Sequence, residues 1–281
     1  MLKFKLIGFA VVLKSLLVNT FNPAPDEFQG NRGEYSKGAL CVIENFPESS
    51  GLETYQDSLL ITHNDSGGQS ALFVLNLNGN IIDTLYVAVG NRDWEDITQD
   101  DKGNYYIGDF GNNSNRRRNL VIYKYNIVDK QASEIHFSYS DQEQFPPEKQ
   151  QMNYDVEAMC WHAGKLHLFT KNRGKKLVNH YILPDQPGEY RVSPEESLYL
   201  PNLITGADIN RSGNLLALAS YGRIYLFKIS EDNTFFKGRY KALRFVRGAQ
   251  MEGLVFVSDT DFVTSNETGK LFYFSKKDYN L

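Results

Sequence analysis

Five short acidic segments recur along the chain, each just ahead of strand-like runs. They are Gly51-Leu52-Glu53, Asp93-Trp94-Glu95-Asp96, Asp155-Val156-Glu157-Ala158, Thr205-Gly206-Ala207-Asp208 and Met251-Glu252-Gly253. Repeats of this size imply a radial array of small sheets, and a shared acidic position would aim one carboxylate per sheet at a common axis. Carboxylates gathered in one cavity repel one another, so they require a cation, captured protons or basic neighbours. The groups expected at such an axis are Glu53, Glu95, Glu157 and Glu252. Asp208 falls two residues later in the alignment, which keeps it on the same strand face. Ca²⁺ suits this set best, because it accepts carboxylate, amide and carbonyl oxygens in a flexible shell. Asn64, Asp65, Asp109, Asn112 and Asn266 lie at or just beyond the ends of second strands and could widen that shell. Glu95 and Glu157 each have an upstream Asp and a following strand that ends near a polar cluster. They are expected to face the channel and share a polar site with Asn64 or Asp109.

A second set of groups would matter if the site were catalytic. His63, Lys171, Arg173 and Tyr221 each follow a second strand. A histidine near a metal-activated water could shuttle a proton, and a lysine could hold an anion or oxyanion. The catalytic candidates are therefore His63, Glu95, Glu157 and Lys171; the metal candidates are Glu53, Asn64, Glu95, Asp109, Glu157, Asp208 and Glu252. The plainer alternatives are that His63 pins its own turn, that Lys171 neutralises an adjacent acid, and that the acidic starts cap amides of neighbouring sheets. His136, His162, His167 and His180 lack zinc-site spacing. Ser66 lies in a turn rather than a nucleophile elbow, and residues 109–113 lack EF-hand spacing.

The elements that must position these groups are short strands. Runs at 59–62, 71–77 and 81–89 follow the first acidic start, with Asn78-Gly79-Asn80 as a hairpin signal. Comparable runs lie at 93–98, 104–108, 120–125 and 135–139; at 156–161, 165–170 and 176–183, with a weaker one near Leu198; and at 204–209, 215–219, 223–229 and 242–246. The last group, 252–257, 261–264 and 271–274, lacks a fourth strand. Residues 39–43 could supply it from upstream, closing the ring and hiding an edge. The pattern predicts an all-β, five-bladed β-propeller. A sixth blade would need 131–153 to fold on its own, and 143–151, with Pro146-Pro147, reads as a long loop. A β-sandwich would not explain the recurring acidic starts, and helices would need longer 3.6-residue periodicity.

Composition sets outer limits. The chain has 281 residues, 23% of them charged, with a net charge of -4, so electrostatics gives no argument for a nucleic-acid partner. The run Arg116-Arg117-Arg118 is too short to alter that. The 17 Tyr and 18 Phe favour pleated surfaces over helices. Lys3 and Lys5 precede an apolar stretch at 6–18 that ends at 19–25. This predicts a signal peptide and linker over residues 1–25, a single propeller domain over 26–281, and a secreted or periplasmic product with no membrane span once the signal is removed. Cys41 and Cys160 fall in different sheets under this register and are expected to be separate thiols.

The chain resembles an uncharacterised family of secreted bacterial β-propeller proteins. The resemblance is carried by Asn64-Asp65-Ser66-Gly67-Gly68, Asp93-Trp94-Glu95-Asp96-Ile97 and Tyr106-Ile107-Gly108-Asp109-Phe110-Gly111-Asn112-Asn113. It continues in Asp155-Val156-Glu157-Ala158, Thr170-Lys171, Thr205-Gly206-Ala207-Asp208 and Glu252-Gly253. It covers most of the chain from Gly51 onward and implies a fold but no activity. More distantly, the acidic inner strands are similar to the calcium sites of the gluconolactonase, paraoxonase and propeller-phytase families. That likeness implies a calcium-dependent hydrolase of a lactone, ester or phosphoester. Five-bladed glycoside hydrolases also place carboxylates at a central pocket. Since no complete catalytic set emerges, the expected function is a Ca²⁺-binding interaction module for a small molecule, carbohydrate or protein. The hydrolase and glycosidase readings stand as alternatives.

Overall fold

The structure is a computed structural model that describes residues 27–28, 34–46, 48–56, 58–171, 173–174, 176–238, 240–244 and 250–277. The expected signal peptide at 1–25 lies outside the described residues. Five separate sheets form the blades of a propeller. From the axis outward, blade 1 runs Ser49–Tyr55, Leu59–Asn64, Ala71–Leu75 and Ile81–Tyr86. Blade 2 runs Trp94–Gln99, Asn104–Asp109, Leu120–Asn126 and Gln131–Tyr139, and blade 3 runs Val156–His162, Lys165–Thr170, Leu177–Pro184 and Glu196–Tyr199. Blade 4 runs Ile204–Ile209, Leu215–Ser220, Arg223–Lys228 and Tyr240–Arg244. Blade 5 takes Met251–Phe256, Phe262–Asn266 and Lys270–Lys276, then the upstream strand Tyr35–Val42 as its outermost member. The ring is thus closed by the N-terminal strand, as the unpaired edge predicted. Residues 140–153 form a loop with one short 3-10 turn, Lys149–Gln151, rather than a sixth blade.

Two pairings were not legible. Gly188–Val192 leaves blade 3 and adds to the outer strand of blade 2, and Glu27–Phe28 adds to the outer strand of blade 4; both pair in parallel. A parallel partner comes from a distant part of the chain, so no hairpin turn announces it. Among the described residues no helix is long and apolar enough to cross a membrane.

The core lies in the seams between blades. Each of the five apolar clusters joins one blade to the next. Along Leu215–Ser220, Leu216 and Leu218 pack toward blade 3 while Ala217 and Ala219 pack toward blade 5. Both faces of a middle strand are therefore buried, and such strands read as continuous apolar runs instead of alternating ones. Cys41 and Cys160 are free thiols in different blades, Cys160 buried and Cys41 half-buried.

The inner strands share one irregularity. Each pairs with its second strand through a register shift that leaves residues between Ser49 and Leu52, Trp94 and Asp96, Val156 and Ala158, Ile204 and Gly206, and Met251 and Leu254 unmatched. Aligning the five shifts makes Ser50, Glu95, Glu157, Thr205 and Glu252 one structural position. Gly51, Asp96, Ala158, Gly206 and Gly253 follow it, and Glu53, Thr98, Cys160, Asp208 and Val255 come two residues later. Only three of the five acidic starts occupy the bulge. Glu53 and Asp208 lie a further turn of the pleat into the channel, because the bulge shifts the register that sequence spacing assumed.

The glycines at the second position are required by crowding. An added Cβ at Gly51 would lie 2.8 Å from the Ile97 nitrogen, and one at Gly253 would lie 2.8 Å from the Leu52 nitrogen. At Gly206 it would strike the Glu252 carbonyl oxygen, which is backbone and cannot swing aside. We predict that Gly206→Ala destabilises the protein by about 1–3 kcal/mol, measured by urea unfolding. Gly38→Ala, where an added Cβ meets nothing within 4 Å, is the control and should change stability by no more than a few tenths. Equal stability of the two variants would contradict this packing.

Candidate functional site

Inside the channel the carboxylates are structural. Asp96 is fully buried and accepts hydrogen bonds from Ile97 N (2.9 Å), from Met159 N in blade 3 (2.8 Å) and from Ala207 N in blade 4 (3.4 Å). Asp208 accepts from Ile209 N (2.8 Å) and from Phe256 N in blade 5 (2.7 Å). Glu53 accepts from Thr54 N (2.6 Å) and from Gln99 Nε2 in blade 2 (3.2 Å). Thr98 takes the same part toward blade 3, accepting from Trp161 N at 3.1 Å. Burial raises Asp96 and Asp208 well above the ordinary carboxylate range and Glu53 to about 7, against the pull of these donors. These side chains stitch adjacent inner strands together, and the structure does not bring Glu53 or Asp208 to the mouth.

The mouth is built from three recurring positions. One is the bulge, where Glu95, Glu157 and Glu252 project. Ser50 and Thr205 occupy it in blades 1 and 4 and instead donate to the next blade, to Glu95 O and Met251 O, each at 2.7 Å. The other two positions are linked by one backbone bond per blade. Asp65 N donates to Glu48 O, Gly111 N to Asp93 O, Lys171 N to Asp155 O, Tyr221 N to Leu203 O and Glu267 N to Gln250 O. The segment entering each inner strand therefore meets the segment leaving each second strand directly above the bulge.

Three carboxylates converge at the blade 1–blade 2 side. Asp65, Asp93 and Glu95 each offer an oxygen, and these atoms lie within 4.8 Å of one another. Asn91 clips the two loops together: its Nδ2 donates to Asp65 O at 3.1 Å, and its Oδ1 accepts from Trp94 N at 3.3 Å. Gly111 forms the floor, since a Cβ there would collide with Glu95 Oε1 and lie 2.5 Å from Asp93 Oδ2. Glu95 is only 7% exposed, yet among the described residues no hydrogen bond or ion pair reaches its carboxylate. Burial, then Glu157, Asp65 and Asp93, push it well above the ordinary carboxylate range, opposed by Lys171. Burial and the neighbouring acids raise Asp93 to about 6, although Arg117 opposes them.

The blade 3 side is neutralised internally. Lys171 Nζ lies 2.6 Å from Glu157 Oε2, and both residues are buried. Arg173 Nε lies 2.6 Å from Asp155 Oδ2, and its NH2 reaches Glu157 Oε1 at 3.4 Å. Burial pushes Glu157 up while Lys171 and Arg173 pull it back. Glu252 is raised by burial to about 7, again opposed by Lys171. Asp109, which ends the second strand of blade 2, pairs with Arg117 at 2.8 Å. Asn64 supplies its backbone carbonyl to Asn91 at 3.3 Å.

His63 is fully buried beneath the site. Its Nδ1 lies 3.0 Å from Asn64 O, which can only accept, so Nδ1 carries the proton. Nε2 lacks a partner among the described residues and faces Gly51, and the ring packs edge-on against Trp94 at 5.6 Å. Burial lowers its pKa to about 4, leaving a neutral imidazole.

Of the residues singled out from the sequence, Glu95, Glu157, Glu252 and Lys171 meet at the mouth. Asp65, expected only to widen the shell, is a full member of the carboxylate group. Asp93 was noted only as the residue upstream of Glu95, and Asn91 was missed. Their common signal was the pair of polar turns at 64–68 and 90–93, which sequence alone could not place side by side.

No protein-family model matches the chain. No curated protein matches it. Among solved structures, the PQQ-bound aldose sugar dehydrogenase from Streptomyces coelicolor aligns at 8% identity and a TM-score of 0.50, over 87% of this chain and 99% of that one. A streptogramin B lyase aligns at 12% identity and 0.41, over 86% and 98%. The WD40 β-propeller domain of Doa1 aligns at 12% and 0.40, over 82% of this chain and 66% of the other. Likeness at these identities is one of fold.

The raised carboxylates fix how stability responds to pH. Glu95, Glu252 and Glu53 hold protons more tightly folded than unfolded, so the metal-free folded state binds more protons near neutrality. Stability must then fall as pH rises. His63 and His167, both lowered by burial, act in the opposite sense, but only below the ordinary histidine range. Thermal melts in EDTA should therefore show the midpoint falling between about pH 6.5 and about pH 8.5. A flat or rising midpoint across that window would contradict the assignment.

Proposed function

We propose that the protein binds Ca²⁺ through Asp65, Asp93 and Glu95 and acts as a binding module that presents the ion, at the mouth of an otherwise filled channel, to an oxygen-bearing ligand. The observation that carries this reading is the Glu95 carboxylate, buried, unpaired among the described residues and within 4.8 Å of two further acidic oxygens. A buried carboxylate in such company requires a proton or a cation.

The donor set supports Ca²⁺ over softer metals. All three groups are carboxylates, and His63, whose unprotonated Nε2 faces Gly51, is not among them. Oxygen-only ligation from two separate loops suits a large, hard cation that tolerates irregular geometry. Three protein carboxylates also leave coordination positions for water or for hydroxyl, carboxylate or carbonyl oxygens of a ligand. We place the protein outside the cytoplasm, on the strength of the N-terminal apolar stretch, where millimolar Ca²⁺ sites operate.

Binding is favoured over hydrolysis because the expected general base is out of reach. His63 is fully buried under Gly51, and Glu157 is committed to Lys171. The metal would hold and orient a ligand.

Calorimetric titration of EDTA-treated protein should give one Ca²⁺ per chain, with Kd on the order of 10⁻⁴ M if the site serves an extracellular role. Glu95→Gln should weaken binding by about tenfold or more while leaving the circular dichroism spectrum unchanged. Absence of both binding heat and thermal stabilisation at saturating Ca²⁺ in the unsubstituted protein would rule the reading out.

A further inference from the structure

We infer that the Lys171 ammonium is a resident cation that holds the blade 3 side of the mouth in place of a second metal ion, and so limits the protein to one ion on the blade 1–blade 2 side. This rests on the metal-binding reading above and concerns what sets the number and position of ions.

The inference begins with the equivalence of positions around the ring. Asp65, Gly111, Lys171, Tyr221 and Glu267 all make the same backbone bond to the segment entering the inner strand of their own blade. Blades 2 and 3 also match at the two positions beside it, with Asp93 and Asp155 entering the inner strand and Glu95 and Glu157 at the bulge, but this position is Gly111 in blade 2 and Lys171 in blade 3. The two sides of the mouth are thus built on one backbone plan that differs by a glycine against a lysine. Beside Gly111 the result is two acids joined by Asp65 of blade 1, with no ion pair to any of the three among the described residues. At Lys171 it is an ammonium 2.6 Å from Glu157 Oε2, with Nζ 5.6 Å from the centre of the Tyr221 ring.

Lys171 is only 6% exposed, and few lysines are buried so fully without a specific charge to hold them. The charged and titratable groups that face it are Glu157 and Arg173 of blade 3, Tyr221 of blade 4, Glu252 of blade 5 and, across the mouth, Glu95 of blade 2 and Asp65 of blade 1. Glu157 and Glu252 are bulge carboxylates on different blades. Such a pair, with waters completing the shell, is what a hard divalent cation would use. An ammonium delivers one positive charge on a tether that cannot dissociate, so this side stays neutralised whatever the ion concentration. Arg173 does not fill the same place, because its Nε is engaged by Asp155 at 2.6 Å.

The test replaces the charge and keeps the stem. Wild type, Lys171→Met and Lys171→Arg are equilibrated with Ca²⁺ by dialysis and the bound metal is counted by elemental analysis, with Mn²⁺ soaks locating the ions by anomalous scattering. The expected result is one ion in wild type and K171R, and two in K171M, the added ion lying between Glu157 and Glu252. K171M should also gain more thermal stability from Ca²⁺ than wild type does. Wild type that binds no ion would remove the metal reading itself. Wild type with one ion and K171M with one or none would overturn the Lys171 inference alone. K171M that stays unfolded at saturating Ca²⁺ while K171R folds would also overturn it, since the ion would then be unable to replace the ammonium.

Discussion

Five inner strands converge so closely on one axis that at three of their contacts only a glycine fits, and the rest of the molecule follows from that crowding. Where the strands touch, Gly51, Gly206 and Gly253 let one backbone lie against the next. Wherever a polar side chain does enter, it must satisfy an amide of the neighbouring blade, as Asp96, Thr98 and Asp208 do. An unsatisfied carboxylate at such a depth would carry the full cost of desolvation. The acids inside the channel therefore act as seams between blades. That role explains their burial and leaves no ligand to be invoked for them.

The crowding ends at the bulge. An extra residue on each inner strand turns the next side chain out of the packed seam and into the mouth, above the closing backbone bond of each blade. What each blade places there decides its local chemistry. Serine and threonine donate to the adjacent strand and close two blades. Glutamate in the other three cannot donate when ionised, so it requires a partner. Lys171 supplies one to Glu157. Glu95 has none among the described residues and meets two further acids instead. The charge imbalance is thus confined to one side of a ring whose backbone repeats fivefold.

Asn91 and Gly111 show how the surroundings prepare that imbalance. Asn91 ties the Asp65 turn to the segment carrying Asp93 and Trp94, so the acids approach as part of a fixed frame. Gly111 removes the side chain that would keep the Glu95 and Asp93 carboxylates apart. Trp94 anchors the same segment from below, donating from Nε1 to Gly90 O at 3.0 Å. Repulsion among the acids is held in place by packing and hydrogen bonds made elsewhere.

The sequence by itself determined the class of fold, the number of blades and the strand that closes the ring. Those properties depend on local patterns: strand-length apolar runs, turn residues such as Asn78-Gly79, and an acidic start repeated five times. It also singled out Glu95, Glu157 and Glu252 as channel-facing acids and, separately, Lys171 as a candidate holder of an anion. Only the tertiary structure decided their roles. The bulge put Glu53 and Asp208 in a different layer from the glutamates they were aligned with, because an extra residue in one strand resets which residues share a position and no spacing along the chain marks it. Asp65 and Asp93 became neighbours through contact between blades, and Asp109 turned away to Arg117. Charge pairing depends on distances across the ring, and no spacing along the chain encodes them.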